Sequence, residues 1–282
     1  MDWMTAKGLF FEKMSSIYDQ NELRSLYKFF LQDYMDVNPY IHVYTPKKEL
    51  NALQIKKFHE GLSSLNRCTP IQYLTEQAFF YDLSFKVNSS VLIPRSETEE
   101  LVRLIYSKNQ NRKSAELQIL DLGTGSGCIA IALKSKFQNA FIVGVDISQK
   151  ALDIANYNAV SHGYSIDFEQ CDMCNFNSAQ KFDIIVSNPP YVLELEKNLM
   201  HSNVLDFEPE TALFVPDADP LKYYKAIVQS INFGNLKTRS LFLEINPKCL
   251  DQLIDLVKPL GDIEIHQDLN DKKRFIEVNI RE

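Results

Sequence analysis

From Asp19 to Tyr34 the apolar positions Leu23, Leu26, Tyr27, Phe30, Leu31 and Tyr34 recur at alternating steps of three and one, which traces one face of a 3.6-residue period. That spacing predicts a helix, and Asp19 followed three residues later by Glu22 supplies a capping-box start. An earlier helix carries Phe10, Met14 and Ile17, and a later one between Lys47 and Leu65 sets Ile55, Phe58, Leu62 and Leu65 on one face. No strand pattern interrupts residues 1–70, so a small helical bundle is expected there, with its aromatic stripes in the core.

The period changes after Thr69-Pro70. Residues 78–87 and 91–93 are short, aromatic and β-branched, and the turn-like Asn88-Ser89-Ser90 between them predicts a hairpin. Pro94 stops the second strand, and Ser96 with Glu99 opens a helix through Tyr106. From Leu117 onward, runs of apolar and β-branched residues at 119–122, 141–146, 166–171, 182–187 and 241–245 read as strands buried on both faces of a parallel sheet. Helices fit between them: Ser148 caps one through His162, and Asp219-Pro220 and Asn246-Pro247 open two more with Pro at the first helical position. That alternation means βαβ units. Strands near 263–266 and 275–280 lie too close for a crossover helix and are expected antiparallel. The expected organisation is a helical domain over 1–72, a β-hairpin linker over 73–95 and an α/β domain over 96–282.

Composition narrows the class without naming a chemistry. With 282 residues, 45% hydrophobic and 24% charged, the chain can bury a sizeable core, and general disorder is excluded. The first residues, MDWMTAKGLFFEKM, lack the apolar core of a secretory signal, and no apolar run is long enough to span a bilayer, so a cytoplasmic protein without membrane association is expected. Five cysteines, Cys68, Cys128, Cys171, Cys174 and Cys249, form no disulfide framework, and neither the Cys171–Cys174 pair nor the five scattered histidines complete a metal set, so no metal is expected. The net charge of −7 is uneven: residues 1–75 carry 9 basic and 8 acidic groups, residues 76–282 carry 21 and 29. Bulk charge therefore argues against a non-specific polyanion binder.

Three sheet-edge segments carry candidate chemistry. Ile119-Leu120-Asp121-Leu122 runs into Gly123-Thr124-Gly125-Ser126-Gly127, a strand entering a glycine turn that opens a helix, where the missing Cβ atoms let backbone N–H groups approach a ligand. Asp146 ends the next strand 23 residues after Gly123, where an acid can take both hydroxyls of a ribose; capping the following helix is its bland alternative, for which Ser148 is better placed. Asp172, ending the third strand, can accept from an adenine amino group with Met173 packed on the ring, or be a solvated turn acid. The fourth strand delivers Asn188-Pro189-Pro190-Tyr191, and two consecutive prolines force the chain out of the sheet as a stiff extended loop. There the Asn188 carboxamide oxygen and the Pro189 carbonyl can accept from the two N–H groups of a planar nitrogen, with Tyr191 against the plane.

These segments resemble class I S-adenosylmethionine-dependent methyltransferases that act on amide or exocyclic amine nitrogens. Within that group, Pro70-Ile71-Gln72-Tyr73-Leu74, then residues 92–99 (Leu-Ile-Pro-Arg-Ser-Glu-Thr-Glu), residues 207–213 (Phe-Glu-Pro-Glu-Thr-Ala-Leu) and a closing Asp268-Leu269 to Arg274 resemble the HemK/PrmC family, the peptide chain release factor glutamine methyltransferases. The resemblance implies a Rossmann-like domain with a mostly parallel seven-stranded sheet, plus the amino-terminal helical bundle as a substrate-recognition domain. It implies that the turn from Gly123 to Gly127, with Thr124, Gly125 and Ser126, holds the methionine end of S-adenosylmethionine, Asp146 the ribose, and Asp172 with Met173 the adenine. Asn188 would meet both cofactor and substrate, and Asn188, Pro189, Pro190 and Tyr191 would bind the glutamine of a release factor's Gly-Gly-Gln loop. Arg95 would steer a carboxylate or the substrate backbone, or form an ordinary ion pair. The by-product implied is S-adenosylhomocysteine, and a monomer without specific nucleic-acid contact is expected. Departures from the family pattern are Glu76, Asn246 and Asp271 where Gly is usual, Met173 where Trp or Phe is common, and residues 216–221 where a Gly-x-Asp-Gly-Leu stretch is usual.

Two rival chemistries share parts of this pattern. An adenine exocyclic-amine methyltransferase on DNA or RNA would use the same proline loop, but it must extract a base and hold phosphates, and residues 76–282 show no basic insert. A nicotinamide-linked Rossmann oxidoreductase would need only the turn and Asp146, leaving the proline loop without a purpose.

Overall fold

The computed structural model describes residues 1–281 and divides by its internal contacts into two units, Met1–Gln77 with His201–Phe207, and Ala78–Met200 with the chain from Glu208 onward. The first is helical: α1 (Trp3–Met14), α2 (Gln20–Phe29), α3 (Ile41–Tyr44), α4 (Ala52–Asn66) and α5 (Ile71–Thr75) surround Trp3, Phe10, Met14, Phe30, Phe58 and Leu65, all fully buried. The helix expected through Tyr34 changes register after Phe29, and residues Phe30–Tyr34 form a π-helical turn closed by Met35 N–H on the Phe30 carbonyl. Asp19 caps α2 by accepting from the N–H groups of Asn21 and Glu22.

At the start of the second unit, β1 (Gln77–Phe80, of which Gln77 counts with the first unit) and β2 (Leu83–Lys86) form the hairpin, whose register differs from the expected one. The turn is Tyr81-Asp82, both at positive φ (53° and 63°), not Asn88-Ser89-Ser90, and 91–93 is not a strand. Tertiary contacts explain the shift: Tyr81 N–H donates to Glu99 Oε1, and the Tyr81 ring lies under Lys136 and Arg103. Glu99 is thereby taken from the expected capping box, and α6 (Ser96–Asn109) starts without a side-chain cap.

The main sheet consists of β3 (Gln118–Leu122), β4 (Phe141–Asp146), β5 (Asp167–Gln170), β6 (Lys181–Ser187), β9 (Lys237–Glu244), β10 (Gly261–Gln267) and β11 (Lys273–Ile280); β7 (Val192–Leu193) and β8 (Phe214–Val215) make a separate short pair. Its order is β10-β11-β9-β6-β3-β4-β5, parallel except for β11, which is antiparallel to both neighbours. The expected mostly parallel seven-stranded α/β sheet is therefore present. Helices α6, α7 (Cys128–Lys136) and α8 (Gln149–Ser161) cover one face, sharing a core with Phe80 and Phe85 of the hairpin; α11 (Lys222–Asn232) and α12 (Leu250–Val257) cover the other. Short helices α9 (Ser202–Leu205) and α10 (Glu210–Leu213) complete the chain. β5 is an edge strand and largely exposed, unlike the run buried on both faces that its sequence suggested.

The chain steps from β3 outward to β4 and β5, then returns to the opposite side of β3 as β6. The carboxyl ends of β3 and β6 therefore flank the topological switch point, where open α/β sheets leave a crevice for ligands. Register places Leu122, Ser187 and Leu243 at one level across β3, β6 and β9, so Gly123 and Asn188 leave the sheet beside Glu244, the last residue of β9.

Candidate active site

A cleft of about 200 Å³ opens at this edge. Gly123, Gly125, Asp146, Asp172, Met173, Asn188 and Pro190 all line it, together with residues 90–92 and Lys222. Residues from four strand ends are thus gathered into one concavity.

The glycine turn is held by Gly123 and Thr124 N–H groups donating to the Val145 carbonyl. Gly123 and Gly125 have φ of +78° and +54°, and a Cβ on Gly125 would meet no protein atom within 4 Å, so the turn leaves open space on the cleft side. A Cβ on Gly123 would collide with the tip of Met173, which lies across the turn. Thr124 and Ser126 are buried and do not line the cleft: the Thr124 hydroxyl donates to Asp121 Oδ2, and Ser126 Oγ has no partner. Gly127 caps α7 and permits close approach to Ala155, a packing role.

Asp146 is braced at both carboxylate oxygens and is not the cap of α8. Its Oδ2 accepts from Gly125 N–H and its Oδ1 from Ser148 N–H, each at 2.9 Å, while Ser148 itself caps α8. Burial raises the Asp146 pKa, opposed by those two N–H donors. Asp172 accepts from Cys174 N–H at 2.9 Å while lining the cleft. Asp121 is fully buried with Oδ1 unpartnered, and burial pushes its carboxyl up to about 7.

Asn188 donates from Nδ2 to Thr98 Oγ1 at 3.0 Å. Thr98 donates to Glu244 Oε2 at 2.8 Å, and the Tyr191 hydroxyl donates to Glu244 Oε1 at 2.9 Å. Pro189 is buried and Tyr191 half-buried with its hydroxyl committed to Glu244, so neither lines the cleft. Asn246 donates from Nδ2 to the Tyr191 carbonyl, giving this departure from the family glycine a job in holding the proline loop. Arg95 is not brought to the cleft; it pairs at 2.5 Å with Glu208, whose other oxygen accepts from Ile93 N–H.

No part in the site was expected of Thr98, Glu244 or Asn246, although Thr98 lies in the 92–99 motif and Asn246 stands out as a departure from the family glycine. Glu244 did carry a signal, an acid closing the apolar run Leu241-Phe242-Leu243 at the sheet edge, but its partners lie 53 and 146 residues away. Elsewhere Glu264, His266 and Glu277 converge, yet Lys108 Nζ bonds both carboxylates at 2.5 and 3.1 Å, which makes the group an ion-pair cluster. Among the described residues no helix is long and apolar enough to cross a membrane, and all five cysteines are free.

The residues present fit an adenosyl cofactor. The turn is open where a ligand's methionine end would lie, two buried polar atoms beneath it (Asp121 Oδ1 and Ser126 Oγ) lack protein partners, and two carboxylates end the neighbouring strands. Residues 113–270 match the family model described as a methyltransferase domain. The release factor glutamine methyltransferase of Flavobacterium psychrophilum is 37% identical over 96% of this chain and 97% of its own, and that of Bacteroides thetaiotaomicron is 36% identical over 95% and 96%. Among solved structures, the hMettl16 catalytic domain in complex with a 3′UTR hairpin has a TM-score of 0.56 at 12% identity, covering 72% of this chain and 77% of that one. The human methyltransferase 10 domain containing protein has a TM-score of 0.53 at 15% identity, covering 71% and 91%. At such identities the structural likeness speaks to the fold alone.

Proposed function

We propose, because the chain belongs to the release factor glutamine methyltransferase family, that the Asn188 to Tyr191 loop presents the glutamine amide of a release factor's Gly-Gly-Gln loop for methylation in this cleft. The chain is accordingly an S-adenosylmethionine-dependent protein-glutamine N-methyltransferase. The observation that carries the assignment of roles is the joint lining of one cleft by the glycine turn, Asp146, Asp172 and Asn188.

Bound S-adenosylmethionine supplies an electrophilic methyl group on a sulfonium. Gly123 and Gly125 would border its methionine end, Asp146 its ribose, and Asp172 with Met173 its adenine. An amide nitrogen is a poor nucleophile because its lone pair is delocalised into the carbonyl, and no Lys or His adjoins Asn188 in sequence to deprotonate it. The chain's contribution is therefore orientation. With its Nδ2 committed to Thr98, Asn188 turns Oδ1 to accept from one substrate N–H; the Pro189 ring lies off the cleft lining, and its backbone carbonyl is proposed as the acceptor for the other. The lone pair then faces the cofactor side for in-line attack, which is entropy prepaid by a rigid loop. Positive charge developing on nitrogen is stabilised by the same two acceptors, and the N-protonated amide, a strong acid, releases its proton to water.

The helical amino-terminal unit is proposed to recognise the release factor, Arg95 to brace the loop entrance through Glu208, and the protein to act as a cytoplasmic monomer without specific nucleic-acid contact. Methyl-tritiated cofactor offered with release factor and with duplex oligonucleotide tests the reading. Label is expected in the release factor's glutamine; label in the oligonucleotide alone would transfer the proposal to an adenine amine.

A further inference from the structure

Buried beside the cleft is a carboxylate that touches no ligand-facing surface, yet stands at the head of the hydrogen-bond chain ending on Asn188. We propose that Glu244 is a positioning residue that fixes the direction of that chain, through Thr98, and so decides which end of the Asn188 carboxamide faces the substrate. The inference rests on Asn188 receiving the substrate amide.

Proton count sets the direction of the chain. An ionised carboxylate only accepts. Its Oε2 accepts from the Thr98 hydroxyl at 2.8 Å and its Oε1 from the Tyr191 hydroxyl at 2.9 Å. A threonine hydroxyl has one proton, and Thr98 has given it to Glu244, so toward Asn188 Thr98 Oγ1 can only accept. The group on Asn188 that meets it at 3.0 Å must then be the NH2, and Oδ1 is turned away as an acceptor. Asparagine by itself has no such preference, since its two ends are nearly isosteric. Were Glu244 neutral, it could donate to Thr98, which would free the Thr98 proton for Asn188 Oδ1. The carboxamide would then rotate and set its NH2 against the substrate NH2, donor against donor.

The surroundings keep the carboxylate close to this balance. Glu244 is 1% exposed, and Thr98 3%. Burial pushes Glu244 up to about 7, opposed by hydrogen bonds from Thr98 and Tyr191 and by the charge of Arg274, with Glu97 adding to the rise. Arg274 is itself held by Asp268 at 3.2 Å; Tyr224 donates to the Glu244 backbone carbonyl, and the Cys128 thiol, pushed up to about 12 mainly by burial, stays neutral nearby. The orienting carboxylate is present above about pH 7 and lost as pH falls through it. Turnover is therefore expected to fall on the acid side.

The test compares wild type, Glu244→Gln, Thr98→Val, Thr98→Ser and Asn188→Ala at saturating cofactor, with cofactor affinity measured by calorimetry. Glu244→Gln is expected to lose about 100-fold in kcat, the scale of one oriented catalytic hydrogen bond, with KM for release factor and cofactor affinity within a few-fold, and to lose the acid limb of the kcat profile. Asp121 also lies near 7, so Asp121→Asn is run alongside and is expected to keep the limb. Should Glu244→Gln fail to fold, Thr98→Val, which leaves the carboxylate in place, must show the same kcat loss, recovered in large part by Thr98→Ser. Near wild-type kcat in Glu244→Gln or Thr98→Val, or an acid limb that survives Glu244→Gln, would overturn the inference. If Asn188→Ala is inactive in that case, the reading of the loop stands and only the positioning role falls; an active Asn188→Ala removes both.

Discussion

At the scale of single residues, function here depends on where hydrogen-bond acceptors point. Asn188 lines the cleft and has its NH2 group occupied, so its oxygen is the one oriented side-chain acceptor the proline loop offers a substrate nitrogen. Asn188→Ala is expected to lower kcat by on the order of 10² to 10³ at saturating cofactor, read by steady-state methylation of release factor. Asp121 yields a second expectation, in stability. Its native pKa of about 7 stands above the ordinary 3.8, so the native state binds this proton more tightly than the unfolded chain. Stability is then highest below pH 4 as far as this group is concerned, and declines as pH rises to about 7. Each pKa unit corresponds to ~1.4 kcal/mol, so Asp121→Asn should stabilise the ligand-free protein by on the order of a few kcal/mol at pH 8. Thermal melts at pH 8 and pH 5 check this: the gain should be clearly smaller at pH 5, and an equal gain at both would refute the ionisation account.

At the scale of elements, positive φ separates what turn signals revealed from what they hid. Gly123, Gly125 and Gly127 advertise a left-handed turn, and the strand–turn–helix reading at 119–136 follows from residue identity alone. Tyr81 and Asp82 take φ of 53° and 63° without any glycine to announce it, because Tyr81 is chosen for its ring and backbone contacts rather than for turn geometry. Asp82 is exposed and bears the left-handed backbone with no side-chain hydrogen bond, so Asp82→Gly should stabilise the hairpin. Removing an αL penalty of ~1–2 kcal/mol, less the extra unfolded-chain entropy of glycine, leaves a net gain of about 0.5–1 kcal/mol, measurable as a rise in the urea midpoint. Glu76 and Asp271, where the family usually has Gly, also have positive φ (53° and 60°), so those departures change the residue while keeping the backbone. Asn246 differs: its φ is −78°, and its side chain does work a glycine could not, capping Lys248 N–H and holding the Tyr191 carbonyl.

At the scale of the molecule, charge and topology divide the labour. Residues 76–282 carry 21 basic against 29 acidic groups, an excess that repels a polyanion. For that reason unlabelled duplex added in tenfold excess is expected to leave methyl transfer to release factor unchanged. Topology does the gathering: the order β10-β11-β9-β6-β3-β4-β5 sets the ends of β3 and β6 side by side, so that a turn at 123–127 and a loop at 188–191 meet across one crevice.

The sequence by itself determined the elements and most of the cleft's lining. Period-3.6 and strand-like runs are local, as are glycine turns and consecutive prolines, so Asp146, Asp172, Met173 and Asn188 were legible at the carboxyl ends of strands. Only the tertiary structure decided how those residues are braced. It turned Arg95 to Glu208, tied Tyr191 to Glu244 and set Thr98 between Glu244 and Asn188, across separations of 113, 53, 146 and 90 residues. A hydrogen bond between residues so far apart depends on strand order and register, which no local pattern encodes, and its direction depends on which partner owns the proton.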